Sequence, residues 1–319
     1  MTDVLFIKTS SLGDVIHHLP ALTEARRRRP DARFAWVVEQ AFAPLVRLHP
    51  AVEAVIPVAA RDWRQSLHRP ATWRAAADFL RALRARRYDL VIDTQGLFFK
   101  SALLARAARG RRHGYDRDSI RERAAACLYD VRHPVARNLH AIARNRLLTG
   151  RALGYEPDGP PDFGLDRASL KAASHSPYGV LLHATARPEK EWAEENWSAL
   201  AAVLGQKIDL VIPYGSERER ERAQRIASAS PRAHVPERQP LDAMAKVIAG
   251  AAFAVGVDTG LLHLAAALAV PLVAIFTASE SGLTGPMGQG PIATLAGRST
   301  GPTVEEVEAA VRATAGIRS

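Results

Sequence analysis

The feature that most constrains the fold of this chain is an apolar run that ends in a short polar turn and is followed at once by a second apolar run. Residues 251–257 (AAFAVGV) have the composition of a buried strand, and residues 261–268 (LLHLAAAL) that of a buried helix. Only Asp258, Thr259 and Gly260 separate the two runs. A buried strand that enters a buried helix through so short a turn is typical of a parallel α/β sheet.

The same alternation of strands and helices extends through the rest of the chain. Further strands are predicted at residues 4–8, 34–38, 52–58, 90–93, 178–183, 208–213 and 272–276. A Pro- and Gly-rich break at 157–161 is followed by polar sequence up to residue 177. A length of 319 residues suits two cores, and no internal sequence repeat is evident. We therefore predict two doubly wound Rossmann-like α/β domains, residues 1–165 and 178–319, which face each other across a cleft and are joined by a linker at 166–177.

Charge is unevenly distributed between the two halves. Residues 1–150 carry 27 Lys and Arg against 14 Asp and Glu, a net charge of +13, whereas residues 151–319 carry 16 against 19, a net charge of −3. The first half is therefore expected to meet nucleic acid, a lipid surface or an acidic substrate, unless the arginines only cover solvated faces. Aromatic residues make up 6% of the chain and no nucleic-acid recognition motif is evident, so no nucleic-acid partner is expected.

Several other classes are disfavoured by what the sequence lacks. No apolar run approaches the ~18 residues of a membrane span, and no basic, apolar leader precedes the first strand, so a cytoplasmic location is expected. A single cysteine, Cys127, excludes an internal disulfide and a cysteine zinc site, and we predict that it is buried. Neither G-x-G-x-x-G nor G-x-x-x-x-G-K-[ST] follows the first strand, which disfavours a nicotinamide dehydrogenase or a phosphate-loop kinase.

The turn after the run at 251–257 is a candidate anion site. The first helical turn has N–H groups without intrahelical partners and the positive end of the helix dipole, which suit a phosphate. Asp258 or Thr259 could equally serve only as a helix cap. His263, one turn inside the helix, either contacts the phosphate or is buried and hydrogen-bonded.

The turn after the first strand is a second candidate. Asp14 follows Ser10, Ser11 and Gly13 at the start of a predicted helix. A carboxylate there can act as a general base if it is open to a substrate. The alternative is a first-turn Asp that the helix dipole stabilises.

Three charged residues follow later strands. Arg187 and Lys190 could neutralise a diphosphate or be ordinary surface charges. Glu217 could hydrogen-bond ribose hydroxyls, as acidic residues do in related sheets, or be part of a helix-capping turn. We find no His, Asp or Glu cluster with metal-ligand spacing.

Taken together, the motifs resemble the lipopolysaccharide heptosyltransferases of glycosyltransferase family 9, and the type I enzymes more than type II. The resemblance covers nearly the whole chain. Its motifs, in chain order, are KTSSLGDV at 8–15, VVE at 37–39, DTQGL at 93–97, KSA at 100–102, HAT at 183–185, KEW at 190–192 and DTGLLHL at 258–264. The resemblance implies a GT-B fold and an inverting, metal-independent transfer of L-glycero-D-manno-heptose from ADP-heptose to a Kdo sugar of Kdo2-lipid A, in synthesis of the lipopolysaccharide inner core.

The resemblance also implies roles for individual residues. Asp14 is the expected catalytic base. The expected donor-binding residues are Thr185, Arg187, Lys190, Glu217, Asp258, Thr259, Gly260, Leu261 and His263. The expected acceptor-binding residues are Ser10, Ser11, Gly13, Arg61, Arg64, Lys100 and Arg121. No cofactor or metal is expected, and the enzyme is expected at the cytoplasmic face of the inner membrane as a peripheral protein. Type II transfer, or a GT-B sugar-nucleotide epimerase that needs no acceptor, remain the alternatives.

Overall fold

The computed structural model describes residues 1–171, 176–277, 282–296 and 301–316. The chain divides into two compact units, residues 1–164 and 165–319. The segment expected as a linker begins with a short helix, residues 167–170, whose Arg167 guanidinium donates hydrogen bonds to the carbonyls of Ala249, Ala251 and Ala269. Within the described residues, this part of the segment is therefore held by the second unit.

The first unit contains a six-stranded parallel sheet. Its strands are β1 Asp3–Ile7, β2 Arg33–Glu39, β3 Val52–Val58, β4 Arg87–Asp93, β5 Arg109–Tyr115 and β6 Val131–His133. Its helices are α1 Leu12–Ile16, α2 Leu19–Arg28, α3 Ala43–Val46, α4 Ala60–Gln65, α5 Pro70–Arg84, α6 Leu103–Ala107 and α7 Ala141–Leu153. The spatial order of the strands is β3-β2-β1-β4-β5-β6, that of a dinucleotide-binding sheet.

The second unit repeats this architecture. Its strands are β7 Tyr178–Leu182, β8 Asp209–Val211, β9 Ala233–His234, β10 Phe253–Val257, β11 Leu272–Ile275 and β12 Ile292–Leu295. Its helices are α8 Arg167–Leu170, α9 Glu194–Leu204, α10 Glu217–Ala227, α11 Leu241–Gly250, α12 Gly260–Ala267 and α13 Val304–Ala315. The order β9-β8-β7-β10-β11-β12 is the same as in the first unit, and all pairs are parallel. The prediction of two doubly wound α/β domains is confirmed.

The central strands are apolar because helices cover both faces of each sheet. Val4, Leu5, Phe6 and Ile7 of β1 are fully buried, and all five residues of β10 are buried. Burying a large apolar side chain contributes roughly 1.5–3 kcal/mol. These strands therefore supply much of the stability of each unit. They also fix the position of the polar residues that directly follow them at the edge of the sheet.

The structure corrects several local predictions. The helix expected after the first strand is two helices, and Pro20 lies in the first turn of α2, where its missing N–H does no harm. The helix predicted near 120–128 is a 3₁₀ helix, Arg123–Leu128, that buries Ala125 and Ala126. The prediction that Cys127 is buried was wrong, because this segment leaves it exposed.

Candidate active site

Ligands of doubly wound sheets bind outside the carboxyl ends of the strands, where the strand order reverses. In the first unit this switch point lies between β1 and β4, and in the second unit between β7 and β10. The segments that leave these strands begin at Lys8, Thr94, His183 and Asp258. Four of the motifs singled out in the sequence, those that begin at residues 8, 93, 183 and 258, therefore lie at the two switch points.

Gln95 fixes the loop after β1. Its Oε1 accepts hydrogen bonds from the amides of Thr9 (2.7 Å) and Ser10 (3.2 Å), and its side-chain amide donates to the Ser10 carbonyl. Gln95 itself follows β4, so one side chain ties the two strand ends together. It belongs to the DTQGL motif, but sequence reasoning assigned it no role.

Asp14 lies in the first turn of α1 and is held there by the residue that precedes the helix. One carboxylate oxygen accepts hydrogen bonds from the amide (2.9 Å) and hydroxyl (3.0 Å) of Ser11, and the other lies 3.9 Å from the Lys8 ammonium. The side chain is nevertheless 44% exposed. Asp14 thus performs the capping role and is also positioned to accept a proton from a substrate. Gly13 precedes it and is buried within the helix.

Two buried charged residues, Lys8 and Asp93, lie near Asp14. Burial lowers the pKa of Lys8, while Asp14 and Asp93 act in the opposite direction, and its ammonium donates to the Thr94 carbonyl at 3.0 Å. Burial raises the pKa of Asp93, whose carboxylate accepts hydrogen bonds from the Tyr129 hydroxyl (2.6 Å) and other donors. Asp93 is fully enclosed, so Asp14 is the carboxylate of this group that a substrate can reach.

Three of the four basic residues assigned to the acceptor line one cavity of about 650 Å³ in the first unit. They are Arg64 of α4, Lys100 of the π-helical turn Phe98–Ala102 and Arg121, which lies just before the 3₁₀ helix. The lining is completed by Ala60, Trp63, Leu67, Leu97, Phe99 and Glu122. The cavity therefore combines positive charge with an apolar wall.

Arg61 lies at the start of α4 but takes a different direction. Its guanidinium stands over the Phe42 ring, 5.3 Å from the centroid, and its amide donates to the Glu39 carboxylate at 3.3 Å. Glu39 is buried, and burial raises its pKa. Arg61 thus lies beside the cavity rather than among the residues that line it.

In the second unit, the loop after β7 is tied to the turn after β10. The ammonium of Lys190 pairs with the carboxylate of Asp258, and the Thr185 hydroxyl donates to the Asp258 carbonyl at 2.9 Å. His263 is buried, with Nε2 3.7 Å from the other Asp258 oxygen. Thr259 precedes α12, so the amides of Gly260 and Leu261 belong to its first turn, as an anion site requires.

Arg222 holds this loop in place, a function that sequence reasoning missed. It is buried in α10, and its guanidinium donates to the carbonyls of His183 (3.1 Å) and Trp192 (2.6 Å) and pairs with Glu191 at 3.2 Å. Burial and the positive charge of Arg222 lower the pKa of His183 to about 4. The loop that carries Lys190 is therefore anchored at both ends.

Two other residues assigned to the donor have exposed side chains. Arg187 is exposed and precedes the 3₁₀ turn Pro188–Lys190. Glu217 is the first residue of α10, beyond the neighbouring strand β8, and its carboxylate pairs with Arg220 at 3.0 Å. Among the residues that the structure describes, no three His, Cys, Asp or Glu side chains come together as metal ligands.

Comparison with known proteins identifies the family. The profile of glycosyltransferase family 9, the heptosyltransferases, matches residues 76–312. Lipopolysaccharide heptosyltransferase 1 of Pseudomonas aeruginosa is 47% identical over 293 residues, 90% of this chain and 81% of that protein.

Two solved structures of the E. coli heptosyltransferase WaaC agree with this. The structure with ADP has a TM-score of 0.92 and 38% identity, over 98% of this chain and 99% of that chain. The structure with ADP-2-deoxy-2-fluoro heptose has a TM-score of 0.89 and 37% identity over the same shares. The chain therefore has the GT-B fold of these proteins and belongs to glycosyltransferase family 9, the heptosyltransferases.

Proposed function

We propose that this enzyme transfers L-glycero-D-manno-heptose from ADP-heptose to a Kdo sugar of Kdo2-lipid A, as a type I heptosyltransferase. The observation that carries the proposal is Asp14, a half-exposed carboxylate held by Ser11 and Lys8 at the switch point of the first sheet. The name of the P. aeruginosa relative and the nucleotide ligands of the WaaC structures support the donor and the reaction class.

The second unit supplies the donor site in this proposal. The first turn of α12, Thr259 to Leu261, receives the diphosphate, and Lys190 offers its positive charge to the same group. As the bond between the anomeric carbon and the diphosphate oxygen breaks, negative charge grows on the departing ADP. Fixed dipoles and the Lys190 ammonium stabilise that charge.

The first unit supplies the base. Asp14 takes the proton of an acceptor hydroxyl while that oxygen attacks the anomeric carbon from the face opposite ADP, so the configuration inverts. Ser11 and Lys8 keep the carboxylate oriented during the transfer. No step in this sequence calls for a cofactor, and we propose that the enzyme is independent of metal.

The basic cavity is the proposed acceptor site. Arg64, Lys100 and Arg121 can pair with the carboxylates of Kdo and the phosphates of lipid A, and the net charge of +13 in residues 1–150 favours such a ligand. Because this acceptor is a membrane lipid, we also propose peripheral association with the cytoplasmic face of the inner membrane. No helix in the described ranges has the length and apolar character needed to cross a bilayer.

Product analysis by mass spectrometry tests the proposal. The enzyme is incubated with ADP-heptose and either Kdo2-lipid A or the same acceptor that already carries one heptose. Addition of one heptose to Kdo2-lipid A, and none to the heptosylated acceptor, supports type I transfer. Addition only to the heptosylated acceptor would indicate type II. Conversion of the sugar nucleotide without any acceptor, followed by NMR because an epimer has the same mass as its substrate, would indicate the epimerase alternative.

A further inference from the structure

The large apolar side chains that are exposed on this protein are concentrated in one part of the first unit. Of the eight such residues in the described ranges, five lie between positions 67 and 103, so their distribution is not the scatter of an ordinary surface. We call them the apolar face: Leu67, Trp73, Leu80, Phe99 and Leu103. Trp73 is 63% exposed and Phe99 is 78% exposed.

Contacts and helical spacing connect four of these residues. The Trp73 indole N–H donates to the Leu67 carbonyl at 2.9 Å, and Leu67 lines the same cavity as Phe99. Leu80 lies seven residues after Trp73 in α5, which places both on one side of that helix. The face therefore runs along α5 and reaches the rim of the basic cavity.

Helix α5 has one buried side and one exposed apolar side. Thr72, Phe79 and Leu83 are buried. Trp73 and Leu80, on another side of the helix, are 63% and 42% exposed. An exposed apolar side of this kind is available to a partner.

The charges around the face identify the kind of partner. Arg74 and Arg84 are exposed on α5, whereas Arg81 is paired with Asp78. An outward stripe of Trp and Leu flanked by arginines is typical of a helix that lies in the headgroup region of an anionic bilayer. Arginines near such a surface are attracted to its anionic lipids.

We propose that the apolar face docks on a bilayer that contains anionic phospholipid, with Trp73 and Leu80 entering the headgroup region and Arg74 and Arg84 contacting the phosphates. The inference rests on the proposed function, because docking brings the cavity with Lys100 and Arg121 to the surface in which a lipid acceptor is embedded. The inference names the residues through which the enzyme associates with the membrane, which the proposed function does not specify.

Vesicle sedimentation with the full chain tests the docking surface. The vesicles contain phosphatidylcholine with or without phosphatidylglycerol and no lipid A, so binding reports phospholipid alone. We expect binding to the anionic vesicles, at least ~10-fold weaker binding by the double variant Trp73→Ser/Leu80→Ser, and unchanged binding by Leu283→Ser, which alters an exposed leucine of the second unit. The variant Arg74→Gln/Arg84→Gln should lose most of the preference for phosphatidylglycerol.

Trp73 also provides a direct readout. Trp36, Trp192 and Trp197 are fully buried, so brominated lipids should quench the exposed Trp73 and, to a smaller extent, the partly buried Trp63; Trp73→Phe should lose most of that quenching. Equal vesicle binding by the parent, Trp73→Ser/Leu80→Ser and Leu283→Ser would overturn the proposal. The absence of vesicle binding by the parent would also overturn it and would indicate a protein partner for the apolar face.

Turnover separates this inference from the proposed function. With a deacylated, water-soluble acceptor, Trp73→Ser/Leu80→Ser should transfer heptose at the parent rate, since neither residue lines the cavity or a switch point. Normal transfer together with normal vesicle binding would overturn the docking surface and leave the enzyme activity standing. No transfer by the parent to either this acceptor or Kdo2-lipid A would instead contradict the proposed function.

Discussion

The two switch points have the same strand order but different chemistry. At the first, Lys8 and Asp93 are buried and Asp14 is left half-exposed, so the edge presents a carboxylate. At the second, Asp258 pairs with Lys190 and the first turn of α12 follows directly, so the edge suits an anion. One topology thus supports a proton acceptor in one unit and an anion site in the other.

The difference shows that the sheet decides where a site lies, while the residues just after two strands decide what it does. Charge follows the same division, with +13 in residues 1–150 and −3 in residues 151–319. Variants at the two edges should therefore have separable effects, and the predictions below test that separation.

The largest effect is expected for Asp14→Asn. Loss of a general base typically reduces turnover about 100- to 10,000-fold, so we expect at least a ~100-fold lower kcat while ADP binding by calorimetry stays near that of the parent. Because Asp14 also accepts hydrogen bonds from Ser11, a thermal melt is needed to show that the variant is folded. Asp31→Asn, at an exposed position of the same unit, is the control. Near-normal turnover would remove Asp14 from the role of base.

Lys190→Ala should produce the complementary result at the second edge. It removes the cation that we assign to the diphosphate and leaves the Asp258 carboxylate without this partner. We expect about a 100-fold loss in kcat/KM for ADP-heptose, with weaker ADP binding, as for loss of one stabilising donor in a transition state. Lys207→Ala, an exposed lysine of the same unit, should change neither quantity. An unchanged donor KM and kcat in Lys190→Ala would contradict the assignment.

Lys100→Ala and Arg121→Ala should affect the acceptor alone. Each removes one charge-assisted contact from the cavity, so we expect the acceptor KM to rise about 10-fold with little change in the donor KM. Steady-state kinetics with each substrate varied in turn provide the measurement. A rise in the donor KM instead would break the division between the two units.

The smallest expected difference concerns acid stability. Burial lowers the pKa of His49 and His113 in the first unit to about 4, as it does for His183 in the second. The unfolded value of these pKa values is about 6.5, so between pH 6.5 and 4 the folded state binds fewer protons than the unfolded state. The free energy of unfolding therefore falls as the pH falls through this range, by up to about 1.4 kcal/mol per pH unit for each histidine.

Burial also lowers the pKa of His18 strongly. Among the described residues, the first unit therefore holds more histidines with a lowered pKa than the second. Hydrogen exchange at pH 5 should therefore show the first unit opening before the second, relative to pH 7. Earlier opening of the second unit would contradict this account.

Much of the fold could be predicted because its central strands are buried on both faces. Residues 4–7 of β1, 90–92 of β4 and all of β10 are continuous apolar runs, and a polar turn follows each strand. In contrast, β5 was missed because its sequence, RGRRHGY, has no aliphatic side chain, and β9 is only two residues long. Helical breaks such as that before Pro20 depend on local geometry that periodicity does not resolve.

The site could be predicted only where its residues are adjacent in sequence. Asp14 and the Asp258 turn each lie between a predicted strand and a predicted helix, so the sequence pattern alone indicates them. Arg64, Lys100 and Arg121 come from three separate elements, and only the family resemblance connected them. Arg222 gave no signal at all. It stands in an alternating Glu and Arg run, and only the phase of α10 turns it inward beside Ala223 and Ile226.

Acceptor-dependent ADP release is the measurement that tests the central claim most directly. The enzyme is mixed with ADP-L-glycero-D-manno-heptose in EDTA, with and without Kdo2-lipid A, and ADP is followed in a coupled assay whose coupling enzymes are added after the reaction is quenched. The account predicts release that requires the acceptor and persists in EDTA. Release without the acceptor, or no release with both substrates present, would contradict it.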